Sequence, residues 1–349
     1  MMQTQCIDAK KQPVSGTRLG GRIIKQGGLV AFPTETVYGL GADGLNADAV
    51  RGIYEAKGRP ADNPLILHIA KKSDVRALWD DVPRKARQLM DAFWPGPLTL
   101  VYNKSALVPD IVSAGLDTVA VRMPANKIAR ALIKAAQTPV AAPSANKSGR
   151  PSPTTAQHVL EDLGGIIPLV IDGGGTLHGV ESTVLSVGAI PMLLRPGIVT
   201  QRMIEGVVGR IRVHARLLLP PDEGDTAVSP GMKHRHYAPD CQMLVFCGSL
   251  YGMARRIGEE YDARVAQNQD CVIFATQQTQ HFYRGRKYVI IGDRDHPETL
   301  CANIFRLLRA WGSAADVILS ESIAAEDAGL AFMNRLLRAA GYACIECRE

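Results

Sequence analysis

Apolar and polar positions alternate along this chain with two different periods, and the period changes part-way. From Gly20 to about Thr200, short apolar runs of strand length alternate with stretches whose apolar residues recur at helical spacing. Residues 46–57 predict a helix: Val50, Ile53 and Tyr54 form its buried stripe, Asn46 is a suitable N-cap, and Asp48 favours the positive end of the helix dipole. Residues 118–122 predict a strand, 127–136 a helix, 139–142 a buried strand and 166–171 another strand. The pattern lapses between 205 and 237, where PPDEGD at 220–225 has linker composition. A second set follows: strands at 243–247, 271–275, 288–291 and 316–320, with helices near 250–261, 297–310 and 329–340.

Strands alternating with helices predict an α/β fold built in layers. The expected organisation is a first α/β domain over 1–205, a linker or lid over 206–237 and a smaller Rossmann-like, doubly wound domain over 238–349. With 349 residues, each domain can bury its own core. No apolar run approaches the ~18 residues needed to span a bilayer, and MMQTQCIDAKKQPVSG lacks the apolar segment of a secretory signal, so a cytoplasmic protein is expected.

The seven cysteines are dispersed, which does not suggest a disulfide framework, and Cys344 and Cys347 read as two reduced thiols on a terminal strand. Net charge is +6, which suits an anionic ligand without choosing among nucleotide, carboxylate and RNA. The run Gly39, Gly41, Gly44 matches G-x-G-x-x-G, but the acidic residue that a dinucleotide fold needs about 20 positions on would fall in a loop. No Walker A sequence occurs.

Polar residues gather in four clusters at the ends of expected elements. The first is Thr34, Glu35, Thr36 and Tyr38. The second, KGRPADNPLILH, holds Lys57, Arg59, Asn63 and His68. The third joins Thr118 and Arg122 to Ser144, Asn146, Lys147, Arg150 and Ser152. The fourth is Glu181, Ser182 and Thr183, with Arg195 one strand later. Their chemistry is lopsided: many cations and small hydroxyls, few acids, no serine-histidine-aspartate set and no histidine pair at metal spacing. Singly, each basic residue reads as solvated surface, and Glu35 reads equally as a surface charge or as an acid that orients a neighbour. Converging at strand ends, they would hold anions through charge-assisted hydrogen bonds, as a transfer at phosphorus requires.

The stretches PTETVYGLG (33–41), KGRP…NPL (57–65), PSANKSGRPSPT (143–154) and VESTV (180–184) together resemble the YrdC family. SPGMKHRHYAP (229–239) and GLAFMNRLLRAA (329–340) resemble its two-domain form, although His234 and the Thr176-Leu177-His178 stretch depart from the usual pattern. The resemblance implies a YrdC-like open twisted sheet with flanking helices. It implies a nucleotidyl transfer that condenses L-threonine, bicarbonate or CO2 and ATP into threonylcarbamoyl-AMP and pyrophosphate, for modification of the adenosine beside the anticodon of certain tRNAs. By position, Thr36, His68, Arg122, Ala142 and Ser182 are expected to line a threonine pocket. Arg59, Asn63, Thr118, Ser144, Asn146, Ser152, Arg195 and Tyr237 are expected to hold ATP. Lys57 and Arg59 are the expected catalytic cations. Magnesium is expected on the triphosphate and not in a protein cage. The product is expected to pass to a tRNA threonylcarbamoyl transferase complex, with direct tRNA binding allowed but not required, and no membrane is involved. Two other readings stay open: an RNA-binding factor using a basic cleft, and a carbamoyl transferase with a different acceptor.

Overall fold

A computed structural model describes residues 3–220 and 237–347, and within them the chain divides into two units. The first holds 3–148 and 152–217; the second holds 149–151, 218–220 and 237–347. Residues 221–236 of the expected lid lie outside the described residues.

The first unit runs β1 (Gln5–Asp8), α1 (Pro13–Lys25), β2 (Val30–Phe32), β3 (Gly39–Asp43), α2 (Ala47–Lys57), β4 (Ile66–His68), α3 (Val75–Leu78), α4 (Arg84–Phe93), β5 (Leu98–Asn103), α5 (Asp110–Ser113) and β6 (Thr118–Arg122). It continues through α6 (Lys127–Ala136), β7 (Val140–Ala141), α7 (Ala156–Leu163), β8 (Leu169–Asp172), β9 (Thr183–Ser186), β10 (Met192–Arg195), α8 (Gln201–Val208) and β11 (Arg212–Val213). The strands form one mixed sheet in the order β1-β8-β2-β3-β7-β4-β6-β5-β9-β10-β11. Residues 206–213, assigned by sequence pattern to the linker, belong to this unit: α8 ends at Val208, its Ile204 is fully buried, and β11 pairs in parallel with β10. One core packs α1 and α6 against β2 and β8 through Ile24, Val30, Phe32, Leu132, Ile133 and Leu169.

Local chemistry explains the elements that carry the site. The Asn46 side chain accepts from the amides of Asp48 and Ala49, starting α2 as its sequence predicts. That helix stops at Gly58, whose φ of 59° is left-handed and open to glycine at little cost. The run of glycines at 39–44 lies largely inside strand β3, not in a phosphate-binding turn. A Cβ on Gly41 would sit 2.7 Å from Val140 and 2.8 Å from Phe32, so this glycine serves strand packing.

The second unit runs β12 (Gln242–Gly248), α9 (Leu250–Val265), β13 (Cys271–Thr276), β14 (Tyr288–Gly292), α10 (Pro297–Gly312), β15 (Val317–Glu321), α11 (Asp327–Ala339) and β16 (Cys344–Cys347). All its strand pairs are parallel, in the order β14-β13-β15-β12-β16, and Phe246, Ile273 and Leu319 anchor its core. The terminal strand is present, but Cys344 is bonded to Cys247 of the neighbouring strand, so only Cys347 of the expected thiol pair is free. The two cysteines lie far apart in sequence, on strands whose adjacency no spacing rule reveals. No helix among the described residues is long and apolar enough to cross a membrane.

Candidate active site

At the centre of the first sheet, parallel strands β4 and β6 place His68 and Arg122 on the same rung. Both are the last residues of their strands, and both are buried. Ligands of open α/β sheets collect at this carboxyl edge.

Arg122 organises the edge. Its Nε donates to the Gly96 carbonyl at 3.2 Å, one terminal nitrogen donates to Thr36 Oγ1 at 2.9 Å, and the other donates to Glu35 Oε1 at 2.5 Å. Burial pushes the Glu35 carboxyl up, and the charge and hydrogen bond of Arg122 outweigh that and hold it below its ordinary range. Glu35 is thus an orienting acid with a buried partner. The 33–38 turn is itself fixed: Thr34 Oγ1 donates to the Val37 carbonyl at 2.7 Å and lies 2.7 Å from Thr36 Oγ1. An arginine has five N–H groups, so one remains on each terminal nitrogen of Arg122 beyond these three bonds. One of them is on the nitrogen bonded to the Thr36 hydroxyl, and the pair suits a carboxylate.

His68 is neutral. Burial first, and the Arg122 charge second, lower its pKa to about 3, and its Nδ1 lies 3.2 Å from the Ile66 carbonyl. Ala142 follows β7 directly, and its amide donates to Ile66 at 3.0 Å, which brings it beside the same strand. Ser182 precedes β9; its Oγ lies 2.7 Å from Thr99 Oγ1 and accepts from Arg195 at 3.2 Å, while Arg195 Nε donates to the Ser182 carbonyl at 3.0 Å. Ser152 donates to the buried Glu181 carboxylate at 2.5 Å.

Lys57 is buried, and its ammonium donates to the Ser144 carbonyl at 2.5 Å and also to the carbonyl and side-chain oxygen of Asn146. A residue expected to face phosphate thus ties the 144–146 loop to the end of α2. Ser144 bridges to Gly39, which holds this loop against the strand that follows the 33–38 turn. Arg59 is half-buried and donates to the carbonyls of Asn63 and Pro64, both at 3.3 Å. Asn63 is fully buried.

One expected residue stands apart from this grouping. Thr118 begins β6 while Arg122 ends it, so the strand rise separates them by about 13 Å. Tyr237 belongs to the second unit, where it is buried, has a left-handed φ of 67° and packs its ring 4.8 Å from that of Phe305. Thr99, which partners Ser182, carried no signal in the sequence, because a lone threonine inside an apolar strand reads as core.

The Sua5/YciO/YrdC family model, described as telomere recombination, matches residues 22–197. The chain belongs to the Sua5/YciO/YrdC family. A second model, the C-terminal domain of threonylcarbamoyl-AMP synthase, matches residues 199–341. A threonylcarbamoyl-AMP synthase of Pyrococcus abyssi is 47% identical over 342 residues, covering 94% of this chain and 95% of that protein. One from Bacillus subtilis is 46% identical, covering 91% of each. A crystal structure of P. abyssi Sua5 complexed with L-threonine superposes with a TM-score of 0.90 at 44% identity, covering 100% of both chains. The two-domain architecture of this Sua5/YciO/YrdC member therefore matches the P. abyssi chain from end to end.

Proposed function

We propose that this chain condenses L-threonine, bicarbonate or CO2 and ATP into threonylcarbamoyl-AMP and pyrophosphate. The observation that carries the reading is the Arg122 guanidinium, held by Glu35, Thr36 and Gly96 with two N–H groups to spare beside a row of buried hydroxyls. Relatives carrying that activity's name across nearly the whole chain support it.

In this reading the threonine carboxylate binds Arg122, and Thr36, His68, Ala142 and Ser182 shape the pocket around its side chain. The amine bonds to the carbon of bicarbonate or CO2 to give a carbamate. A carbamate oxygen then forms a bond to the α-phosphorus of ATP as the bond to the bridging oxygen breaks and pyrophosphate leaves. Positioning and charge neutralisation supply most of such a transfer. Arg59, Asn63, Thr118, Ser144, Asn146, Ser152, Arg195 and Tyr237 are proposed to hold the nucleotide. Lys57 acts through the 144–146 loop that it anchors. Magnesium travels with the triphosphate, coordinated mainly by phosphate and water. Within the expected 206–237 stretch, the part beyond β11 is proposed to serve as a lid that keeps water from the mixed anhydride, and the product is proposed to go on to a tRNA-modifying transferase in the cytoplasm.

The test is product analysis by mass spectrometry with purified protein. Pyrophosphate and threonylcarbamoyl-AMP should form only when ATP, threonine and bicarbonate are all present. Pyrophosphate release at the same rate without threonine would overturn the reading.

A further inference from the structure

A carbamate forms only from a neutral amine, and threonine's amine is an ammonium at neutral pH, so the reaction needs a base. The buried groups around Arg122 serve poorly. Glu35 is paired with Arg122 and held below its ordinary range. His68 is fully buried, with Nδ1 against the Ile66 carbonyl. The Tyr38 phenol donates to the Gly174 carbonyl at 2.7 Å and is pushed up by burial. The Lys57 ammonium is turned to the 144–146 loop.

His178 differs from all of them. Its backbone amide donates to the Glu35 carbonyl at 2.9 Å, which pins it beside the acid that holds Arg122. Its ring is half-buried and makes no hydrogen bond among the described residues. The charges that act on it are Glu35, from the 33–38 turn, and Arg122, from β6. The ring also lines a cavity of about 470 Å3 whose walls, residues 92–97 on one side and Ile198, Val199 and Met203 on the other, carry no titratable group. One of those wall residues, Gly96, is the carbonyl that accepts from Arg122 Nε, so the cavity and the guanidinium share Gly96 as a neighbour. Burial and Arg122 depress the imidazole below its usual value against the pull of Glu35, leaving it neutral at physiological pH.

We propose that His178 is a catalytic base: its free imidazole nitrogen takes a proton from the substrate ammonium, and the adjoining cavity returns that proton to solvent. With bicarbonate, the ammonium gives one proton to His178, the amine lone pair bonds to the carbonate carbon, and hydroxide leaves that carbon with the second amine proton as water. The sum is ammonium plus bicarbonate plus imidazole giving carbamate, water and imidazolium. The neighbouring Glu35 carboxylate stabilises the imidazolium while it lasts. The proposal rests on the threonine reading of the Arg122 site.

The experiment measures kcat/KM for threonine from pH 6 to 9.5 for the wild type, His178→Gln and His178→Ala, with threonine affinity by calorimetry on each. At pH 7 the variants should lose on the order of 10²- to 10⁴-fold, recover as pH rises and hydroxide replaces the base, and bind threonine nearly as the wild type does. Free imidazole, which the cavity can admit, should restore part of the His178→Ala rate in proportion to its concentration. A loss that is uniform across pH without imidazole rescue, or no loss at all, overturns the role of His178 while leaving the pocket in place. Failure of the wild type to bind threonine overturns the pocket and the proposal together.

Discussion

The Arg122 guanidinium and the Glu35 carboxylate meet at 2.5 Å, with side chains only 4% and 8% exposed. A buried pair of this kind is expensive to break from one side, about 3–5 kcal/mol, because the remaining charge has no partner. Glu35→Gln should therefore lower the melting temperature clearly. Threonine, whose carboxylate supplies the missing negative charge, should then stabilise the variant more than it stabilises the wild type. Thermal denaturation with and without threonine measures both effects, and equal stabilisation of the two proteins would remove the carboxylate from Arg122.

Arg122→Ala and Arg59→Ala should affect different ligands. Loss of a charge-assisted hydrogen bond costs roughly 1.5–3 kcal/mol, or ~10- to 150-fold in affinity. The Arg122 variant should lose threonine and the Arg59 variant ATP, each by that factor, in calorimetric titrations. Crossed effects would exchange the two assignments.

Lys57→Met should leave the carbonyls of Ser144 and Asn146 without the ammonium that bridges them. An unsatisfied buried acceptor costs about 1–3 kcal/mol, so amide hydrogen exchange in 144–148 should quicken before that of the core strands. Turnover should fall with it, and unchanged exchange would mean that the loop is held by other means.

His68 gives the first unit an acid limit. Its folded pKa of about 3 lies below the ordinary value of 6.5, so the unfolded chain binds the extra proton first. The stability contribution is complete above pH 6.5 and drains away as pH falls toward 3, by at most ~1.4 kcal/mol per pH unit. Melting temperatures of the wild type and His68→Gln should converge across that window. Parallel curves would exclude His68 as the titrating group.

A chain ending at residue 217 should fold by itself, since the first sheet and its core are complete there. Ending at Thr200 removes α8 with its buried Ile204 and strips β11 from β10. That shorter chain should melt at lower temperature by circular dichroism. Equal melting would place α8 and β11 outside the folding unit.

Much of this was legible in the sequence where local rules operate. The Asn46 cap, the α2 stripe, β6 and α6 follow from spacing and capping chemistry within a dozen residues. The clustering of polar residues at strand ends was legible for the same reason. The partners were not. Glu35 could not be told from a surface charge without Arg122, 87 residues away, and the hold of the Lys57 ammonium on a loop 87 to 89 residues on was equally out of reach. Thr118 and Arg122 stand at opposite ends of one strand, and because a strand extends, their nearness in sequence does not make them neighbours in space. The end of the first unit was misplaced because α8 and the two-residue β11 are too short and too exposed to stand out beside linker composition.

The shared rung of His68 and Arg122 makes the site an alignment mark for the sheet. β4 has only three residues, all buried between β6 and β7, so packing more than its few backbone bonds holds its register against a slip by one position. Such a slip would turn His68 to the opposite face while leaving helix content almost unchanged. A molecule slipped in this way would match the native helix content and still lack the site. Titrating active sites with threonine would count the correctly threaded molecules, which makes the ligand a gauge of how accurately the sheet was assembled.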